Sequence, residues 1–467
     1  MFKLLSHSSF LSLTVAQFFG ALNDNALKQI FLLLAVQTVM SGETSAGYEI
    51  QATAMAVFSL PFLVFSTLAG QLADRISKRT LIIFTKFAEV FVVLLAGYGI
   101  ATENLNVIIF ALFLLAVQSS FFSPSKYGIL PEILTDKRLS AGNGIIQTTT
   151  YIAILLGTAL AGFLLYSIPE QRWMIGAILL VFSIFGTFVS FAIETVPPAD
   201  PERTLFRMPL DSFAETLSEI TRDRFLFLSM LGFAYVWFAG SVLMLNLNVY
   251  GMNEMGLSEL FTSLLLVFLA TGIGGGCLLA GRWSQQAVEP GLVPPGAIGM
   301  GSCLLVLVNT PESFYSAGFW LFASGFFSGL FLIPLQTSLQ HLPKRTHKGA
   351  VLGVTNVVTF TAVISSAAIY TVLVGYGGWS PQQMMGFLGG FTLLTGVGLI
   401  FLLPRFLTRF ILWLLVHTLY RINVRGQNKV PEEGPALLVA NHVSYFDGFL
   451  IRASVRRFVR LFAFKPL

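Results

Sequence analysis

The chain has 467 residues, 55% of them hydrophobic and only 11% charged, with a mean hydropathy of +0.77. Soluble domains run at roughly 45–50% apolar and about 25% charged, so this composition excludes a soluble globular enzyme, a disordered chain and a secreted disulfide scaffold. The formal charge of +5 is unevenly placed: residues 1–404 hold 18 Lys and Arg against 20 Asp and Glu, and residues 405–467 hold 10 against 3. A basic tail behind a membrane body suits anionic lipid, and no nucleic-acid motif is present. Cys277 and Cys303 both lie in apolar runs, which argues against a structural disulfide or a thiolate metal site. No cofactor and no metal is expected.

A membrane helix needs about 20 mostly apolar residues. In chain order the candidates are 10–40, 51–72, 80–102, 105–122, 139–166 and 173–195, then 225–250, 260–281, 292–308, 314–339, 350–374 and 382–403. The expected fold is all-α, with twelve transmembrane helices in two six-helix halves, about 1–196 and 224–404. The linker 197–223 carries Pro197, Pro198 and Pro201. Alternate loops differ sharply in charge. One set holds Arg75, Lys78, Arg79, Lys126, Lys137, Arg138, Arg203, Arg207, Arg222, Arg224, Arg282, Lys344, Arg345, Lys348 and Arg405; the other holds only Arg172, with Glu43, Glu103, Glu254 and Glu312. The positive-inside rule then puts both termini in the cytoplasm.

A repeat supports the division. Gly144, Gln147, Thr150 and Tyr151 recur as Gly353, Asn356, Thr359 and Phe360, at a constant offset of 209. Pro124 and Pro334 fall one residue off that offset. After the second span the chain reads Gly70-Gln-Leu-Ala-Asp74-Arg75-Ile-Ser-Lys78-Arg79. This resembles the signature loop of the major facilitator superfamily, Gly-x-Leu-x-Asp-Arg-x-Gly-Arg-Arg, with Ser77 and Lys78 departing from it. Gly70 permits close helix approach. Asp74 can pair with a base or cap a helix N-terminus. Gly70, Asp74, Arg75 and Arg79 are therefore candidates for a conformational latch.

Charged side chains at a span centre cost roughly 2.5–3.5 kcal/mol each. In the first span Asn23-Asp24-Asn25 is followed by Lys28, and Asp24 and Lys28, as i,i+4 neighbours, can pair on one face. Lys86 and Glu89 in the third span form an i,i+3 pair expected to be structural, with Lys86 snorkelling to the interface. After 118 the chain reads Gln-Ser-Ser-Phe-Phe-Ser-Pro124-Ser-Lys126-Tyr127-Gly128-Ile-Leu-Pro131-Glu132, and its prolines are expected to break the helix. Asn23-Asp24-Asn25-Ala26-Leu27, Ser123-Pro124-Ser125-Lys126-Tyr127-Gly128-Ile129-Leu130 and Asn143-Gly144 together resemble the bacterial lysophospholipid transporter family over residues 1–404. The resemblance implies a flippase moving lysophosphatidylethanolamine and lysophosphatidylglycerol from the outer to the inner leaflet of the bacterial inner membrane. It implies a head-group site with Asp24 and Lys126, to which Asn25, Lys28 and Asn246 are added as candidates. Family members can carry a basic residue in the seventh span; here Gly232–Tyr250 has none, and Asn246 and Asn248 are its polar groups.

Residues 405–421, with Arg405, Arg409, Trp413, Tyr420 and Arg421, read as a helix lying on the cytoplasmic face. Residues 436–440 read as a short buried strand delivering Asn441-His442 and Asp447. His442 and Asp447 resemble the Asn-His-x-x-x-x-Asp motif of glycerophospholipid acyltransferases. In that family the His deprotonates the lipid hydroxyl and the Asp holds the imidazole. Residues 422–467 are thus expected to be the opening segment of an acyltransferase domain, inactive by itself; Arg452, Arg456, Arg457 and Arg460 would face lipid phosphates. A complete domain would take acyl-carrier protein or acyl-CoA as donor. The expected partners are the lysophospholipid and membrane lipids, and the chain is expected to be a monomer. Two other functions fit less well: a superfamily exporter of drugs or siderophores, and an acyltransferase using the helices as an anchor.

Overall fold

The computed structural model describes residues 2–40, 46–202, 209–257, 259–284, 289–310, 313–402, 404–419, 435–441 and 447–454, with Val430 and Ser444. The first half holds α1 (Ser8–Met40), α2 (Ala46–Arg75), α3 (Lys78–Ala101), α4 (Leu105–Ile133), α5 (Asp136–Ser167) and α6 (Arg172–Ser190). After α7 (Pro209–Arg222) the second half holds α8 (Arg224–Val249), α9 (Glu259–Trp283), α10 (Val293–Asn309), α11 (Phe314–His341), α12 (Lys348–Tyr370) and α13 (Pro381–Leu402), and α14 (Pro404–Leu419) and α15 (Asp447–Ser454) follow. Among the described residues eleven helices are long and apolar enough to cross a membrane. The first, α1, is not among them, although its 33 residues reach roughly 50 Å at 1.5 Å each. Its polar run from Asn23 to Lys28 lowers its hydropathy, and it packs inside the bundle against α5 and α6.

Start signals act where the sequence supplies them. The Asn104 side chain accepts from the backbone N–H of Asn106 and Val107 to open α4, and Asp223 does the same for Phe225 and Leu226 to open α8. The expected break in α4 is absent: the helix runs through Pro124 and Pro131 to Ile133. Ser125 Oγ donates to the Phe121 carbonyl at 3.3 Å, supplementing the ladder beside the proline that lacks an N–H. The linker was expected to be a loop, yet 209–222 is helical. Ser212, Thr216 and Ile220, spaced by four, turn one face of α7 inward.

The halves are clamped at one end, here called basal, where α2 and α5 end or begin beside α12 and α9. A methyl group on Gly70 would stand 2.3 Å from the Gly349 carbonyl oxygen, and one on Gly353 2.4 Å from that of Ser66. Across the second seam a methyl on Gly144 would stand 2.6 Å from the Cys277 carbonyl oxygen, and one on Gly281 2.9 Å from that of Ser140. Backbone therefore touches backbone at both seams. Higher up the α2–α12 seam the rings of Phe62 and Phe360 stack at 3.9 Å.

The tail departs from expectation in one respect. Residues 435–441 form no strand, and Leu437 and Val439 are 85% and 88% exposed. A strand needs a partner for its N–H and C=O groups, and no strand occurs among the described residues. Helix α14 does form and docks through Phe410, which is buried with its ring 6.0 Å from Trp283.

Cys277 is buried in the α5–α9 seam, where its backbone carbonyl meets Gly144. Cys277 should therefore react slowly with a membrane-permeant maleimide in the native chain. Gly144→Ala, which forces the seam apart, should speed labelling severalfold; equal rates would refute tight closure there.

Candidate functional site

Each half buries its apolar side chains differently. The second half has one continuous core, running from Ile220 and Leu226 to Leu388. The first half has two: one around Leu27, Phe31, Leu112 and Leu179, the other around Phe10, Ile82, Ile129 and Leu139. Between them lies a polar layer in which Gln17, Asn23, Lys86, Glu89, Gln118, Ser120, Gln147, Ser183 and Thr187 are all buried.

Four charges meet in this layer. Lys86 Nζ and Glu89 Oε2 form an ion pair at 2.5 Å with both side chains at most 2% exposed. Asp24 accepts a hydrogen bond from Ser119 Oγ at 3.0 Å, and its carboxylate lies in the fields of Glu89, Lys86 and Lys126. Lys126 Nζ sits 4.4 Å from the centroid of the Tyr127 ring and 5.7 Å from that of Phe122, and Lys86 Nζ is also 5.7 Å from Phe122. Two acids and two bases thus gather around an aromatic ring. Small residues make the room: a methyl on Gly20 would stand 2.8 Å from Lys86 Nζ, and one on Gly186 3.5 Å from it.

Lys86 does not snorkel. It is fully buried, because Glu89 one turn away supplies the counter-charge that lets the ammonium stay inside. Nor do Asp24 and Lys28 pair. Asp24 turns to Ser119 on α4, whereas Lys28 Nζ reaches toward α2, 6.0 Å from the Phe58 ring centroid. Among the described residues neither Lys28 nor Lys126 has a carboxylate within 4 Å. Two carboxylate oxygens, Asp24 Oδ1 and Glu89 Oε1, are buried with no hydrogen-bond partner. The layer therefore offers unsatisfied acceptors beside the unpaired ammonium of Lys126.

The other candidates lie elsewhere. Asn25 Nδ2 donates to its own helix, to Ala21 O at 2.7 Å. Asn246 is fully buried and donates to Pro381 O at 2.9 Å, tying α8 to α13. Asp74 is fully buried at the basal end. Its carboxylate accepts from Gly349 N at 2.7 Å and Ala350 N at 2.9 Å, capping the first turn of α12, while its own carbonyl accepts from Ala199 N and Asp200 N of the linker. Arg79 donates to the carbonyls of Ile193 and Phe191 past the end of α6. Lys78 is buried against Glu132 at 2.6 Å, and Arg75 ends α2, partly exposed. Asn143 and Gln340 exchange amide hydrogen bonds of 2.7 and 3.0 Å across the halves. In the tail, Asp447 Oδ2 accepts from Ser444 N at 2.7 Å, at the start of α15. His442, Tyr420, Arg421, Arg456, Arg457 and Arg460 lie outside the described residues.

The sequence reading left Lys86 and Glu89 out of the site. The available signal was an acid–base pair within a span flanked by the small residues Gly20 and Gly186 on neighbouring helices, which spacing along α3 alone does not reveal.

The family model described as Major Facilitator Superfamily matches residues 13–368, and one described as Acyltransferase matches 421–464. A lysophospholipid transporter of Photorhabdus laumondii subsp. laumondii is 28% identical over 371 residues, covering 78% of this chain and 88% of that protein. One from Enterobacter sp. is 27% identical over 374 residues, covering 79% and 89%. Among solved structures, the human organic anion transporter TETRAN superposes with a TM-score of 0.72 at 14% identity, covering 84% of this chain and 98% of that one. The E. coli fucose:proton symporter superposes with a TM-score of 0.63 at 15% identity, covering 83% and 98%. At such identity the structures speak for the fold alone. With its family model spanning most of the chain and its twelve-helix, two-half bundle, this protein belongs to the major facilitator superfamily.

Proposed function

We propose that the chain is a lysophospholipid transporter that moves lysophosphatidylethanolamine and lysophosphatidylglycerol from the outer to the inner leaflet of the bacterial inner membrane, where they are re-acylated. The observation that carries this reading is the split core of the first half, with buried unsatisfied carboxylate oxygens beside the unpaired ammonium of Lys126. Leaving such groups unbonded costs about 1–3 kcal/mol each, more for charged ones. A head group carrying both a phosphate and an N–H or O–H donor would satisfy both kinds, the phosphate at Lys126 and the donor at Asp24 Oδ1. The curated relatives, transporters of the same lipid class, support the reading. The positively charged basal loops support a cytoplasmic basal end, and in that orientation the basal clamp closes the site to the inner leaflet.

Vesicles or spheroplasts carrying the chain should take up both lysolipids, and Asp24→Asn or Lys126→Ala should lower uptake about tenfold or more, the size of a lost charged hydrogen bond. Uptake equal to that of empty vesicles for both lipids would refute the proposal.

The buried ion pair should be separable from substrate contact. Lys86→Met strands Glu89 and should cost about 3–5 kcal/mol of stability, while Lys86→Met with Glu89→Leu should restore most of it. Asp24→Asn keeps the Ser119 contact and should leave thermal unfolding near the native midpoint. Equal destabilisation by Lys86→Met and Asp24→Asn would contradict this division of roles.

Removing the charge of the α12 cap by Asp74→Asn should weaken the clamp and speed Cys277 labelling, with lysolipid uptake reduced; unchanged labelling would show that the glycine seams hold without the cap.

A further inference from the structure

A polar cavity lies at the basal end between the halves. Its volume is about 240 Å³, and it is lined by Pro131 and Glu132 of the first half and by Pro343, Arg345 and Lys348 of the second. It opens at the surface and shares no residue with the layer around Asp24. It is smaller than the roughly 300–1,000 Å³ of pockets that enclose drug-sized ligands, but at about 30 Å³ per water it holds several waters' worth of space. A polar head fits it; an acyl chain does not.

Its charges are incompletely matched. Glu132 Oε1 is held by Lys78 at 2.6 Å, while Glu132 Oε2 is buried with no hydrogen-bond partner, on a side chain only 5% exposed. Among the described residues neither Arg345 nor Lys348 has a carboxylate within 4 Å. Asp136 faces Lys348 from α5 but is bonded to His341 at 3.2 Å. Two cations, Arg345 and Lys348, therefore line the cavity with one carboxylate, Glu132, whose other oxygen Lys78 already holds. The N–H groups that open α12, at Gly349 and Ala350, already bond Asp74, so they do not account for the cavity.

We propose that this cavity binds a phosphate ester that also carries an amine or hydroxyl donor. The phosphate would lie between Arg345 and Lys348, where a planar guanidinium and an ammonium supply charge-assisted hydrogen bonds. The donor would bond Glu132 Oε2, which inorganic phosphate cannot do as well. Because Glu132 belongs to one half and Arg345 and Lys348 to the other, the ligand is bound only while the basal end is closed. By linkage it then stabilises that conformer and slows its opening. The site is regulatory and independent of what the central layer transports.

The full chain, purified in detergent, would be titrated with phosphoethanolamine, with sn-glycerol 3-phosphate and with inorganic phosphate, reading the unfolding midpoint and the rate of Cys277 labelling. The expected result is a raised midpoint and slower labelling with the two esters at millimolar concentrations, and a weaker response to inorganic phosphate. Arg345→Ala, a largely exposed position whose loss leaves packing intact, and Lys348→Gln should each weaken the response about tenfold, whereas Lys137→Ala should not. In nanodiscs, slower labelling in phosphatidylethanolamine than in phosphatidylcholine, reversed by Arg345→Ala, would identify a lipid head group as the source. A response to soluble ester with no difference between the lipids would identify a soluble one. No response of the native chain to either ester or to phosphatidylethanolamine, or a response unchanged in both Arg345→Ala and Lys348→Gln, would overturn the proposal. Neither result depends on lysolipid uptake.

Discussion

The contact on which the architecture depends is backbone against backbone at the basal seams. Gly70, Gly349 and Gly353 let α2 and α12 meet without side chains between them, and Gly144 and Gly281 do the same for α5 and α9. Such approach brings Asp74 within 2.9 Å of the two N–H groups that open α12, and it aligns Asn143 with Gln340 for a reciprocal amide pair. With any side chain at these glycines, cap and amide pair would be drawn out of hydrogen-bonding range, since such bonds weaken steeply beyond about 3.2 Å. Gly144 and Gly353 are equivalent positions of the internal repeat. The two seams are thus one solution used twice.

Above the clamp, polarity is not shared equally. The second half packs as a single apolar core, while the first accepts a layer of charge through its centre. Removing an ion from water costs several kcal/mol even after relaxation, and attraction between neighbours repays that only with good geometry. Lys86 and Glu89 have that geometry; Asp24 and Lys126 do not form a close pair and depend on the wider field. The layer therefore contains one close ion pair and one mismatched set, and the mismatched set is where a charged guest gains most.

Much of this was legible in the sequence. Twelve helices, the halves, the close approach at Gly70, the helix cap by Asp74, and the polar run at Asn23–Lys28 follow from hydropathy, loop charge and local motif. What failed was geometry across helices. The i,i+4 spacing of Asp24 and Lys28 permits a pair, but Ser119 and Phe58 on neighbouring helices draw the two side chains apart. Lys86 looked able to reach water, and only the packing of α1 and α6 around it shows otherwise. Pro124 signalled a break that the continuous packing of α4 overrides, and residues 436–440 have the composition of a strand without a partner to make one. The amphipathic spacing of α7 was readable and was masked by the prolines before it.

The polarity of α1 has a consequence for how the protein is made. A helix carrying both Asp24 and Lys28 is a poor candidate for insertion by itself, since each charge adds roughly 2.5–3.5 kcal/mol at a span centre. Its polar side chains bond groups synthesised later: Asp24 accepts from Ser119 on α4, Gln17 bonds Thr149 and Thr150 on α5, and Asn23 bonds the Leu179 carbonyl on α6. The polar partners of α1 lie on the fourth, fifth and sixth helices of its half. Biogenesis of this half is therefore cooperative, with α1 reaching its final depth only when more than 150 further residues have followed it into the bilayer.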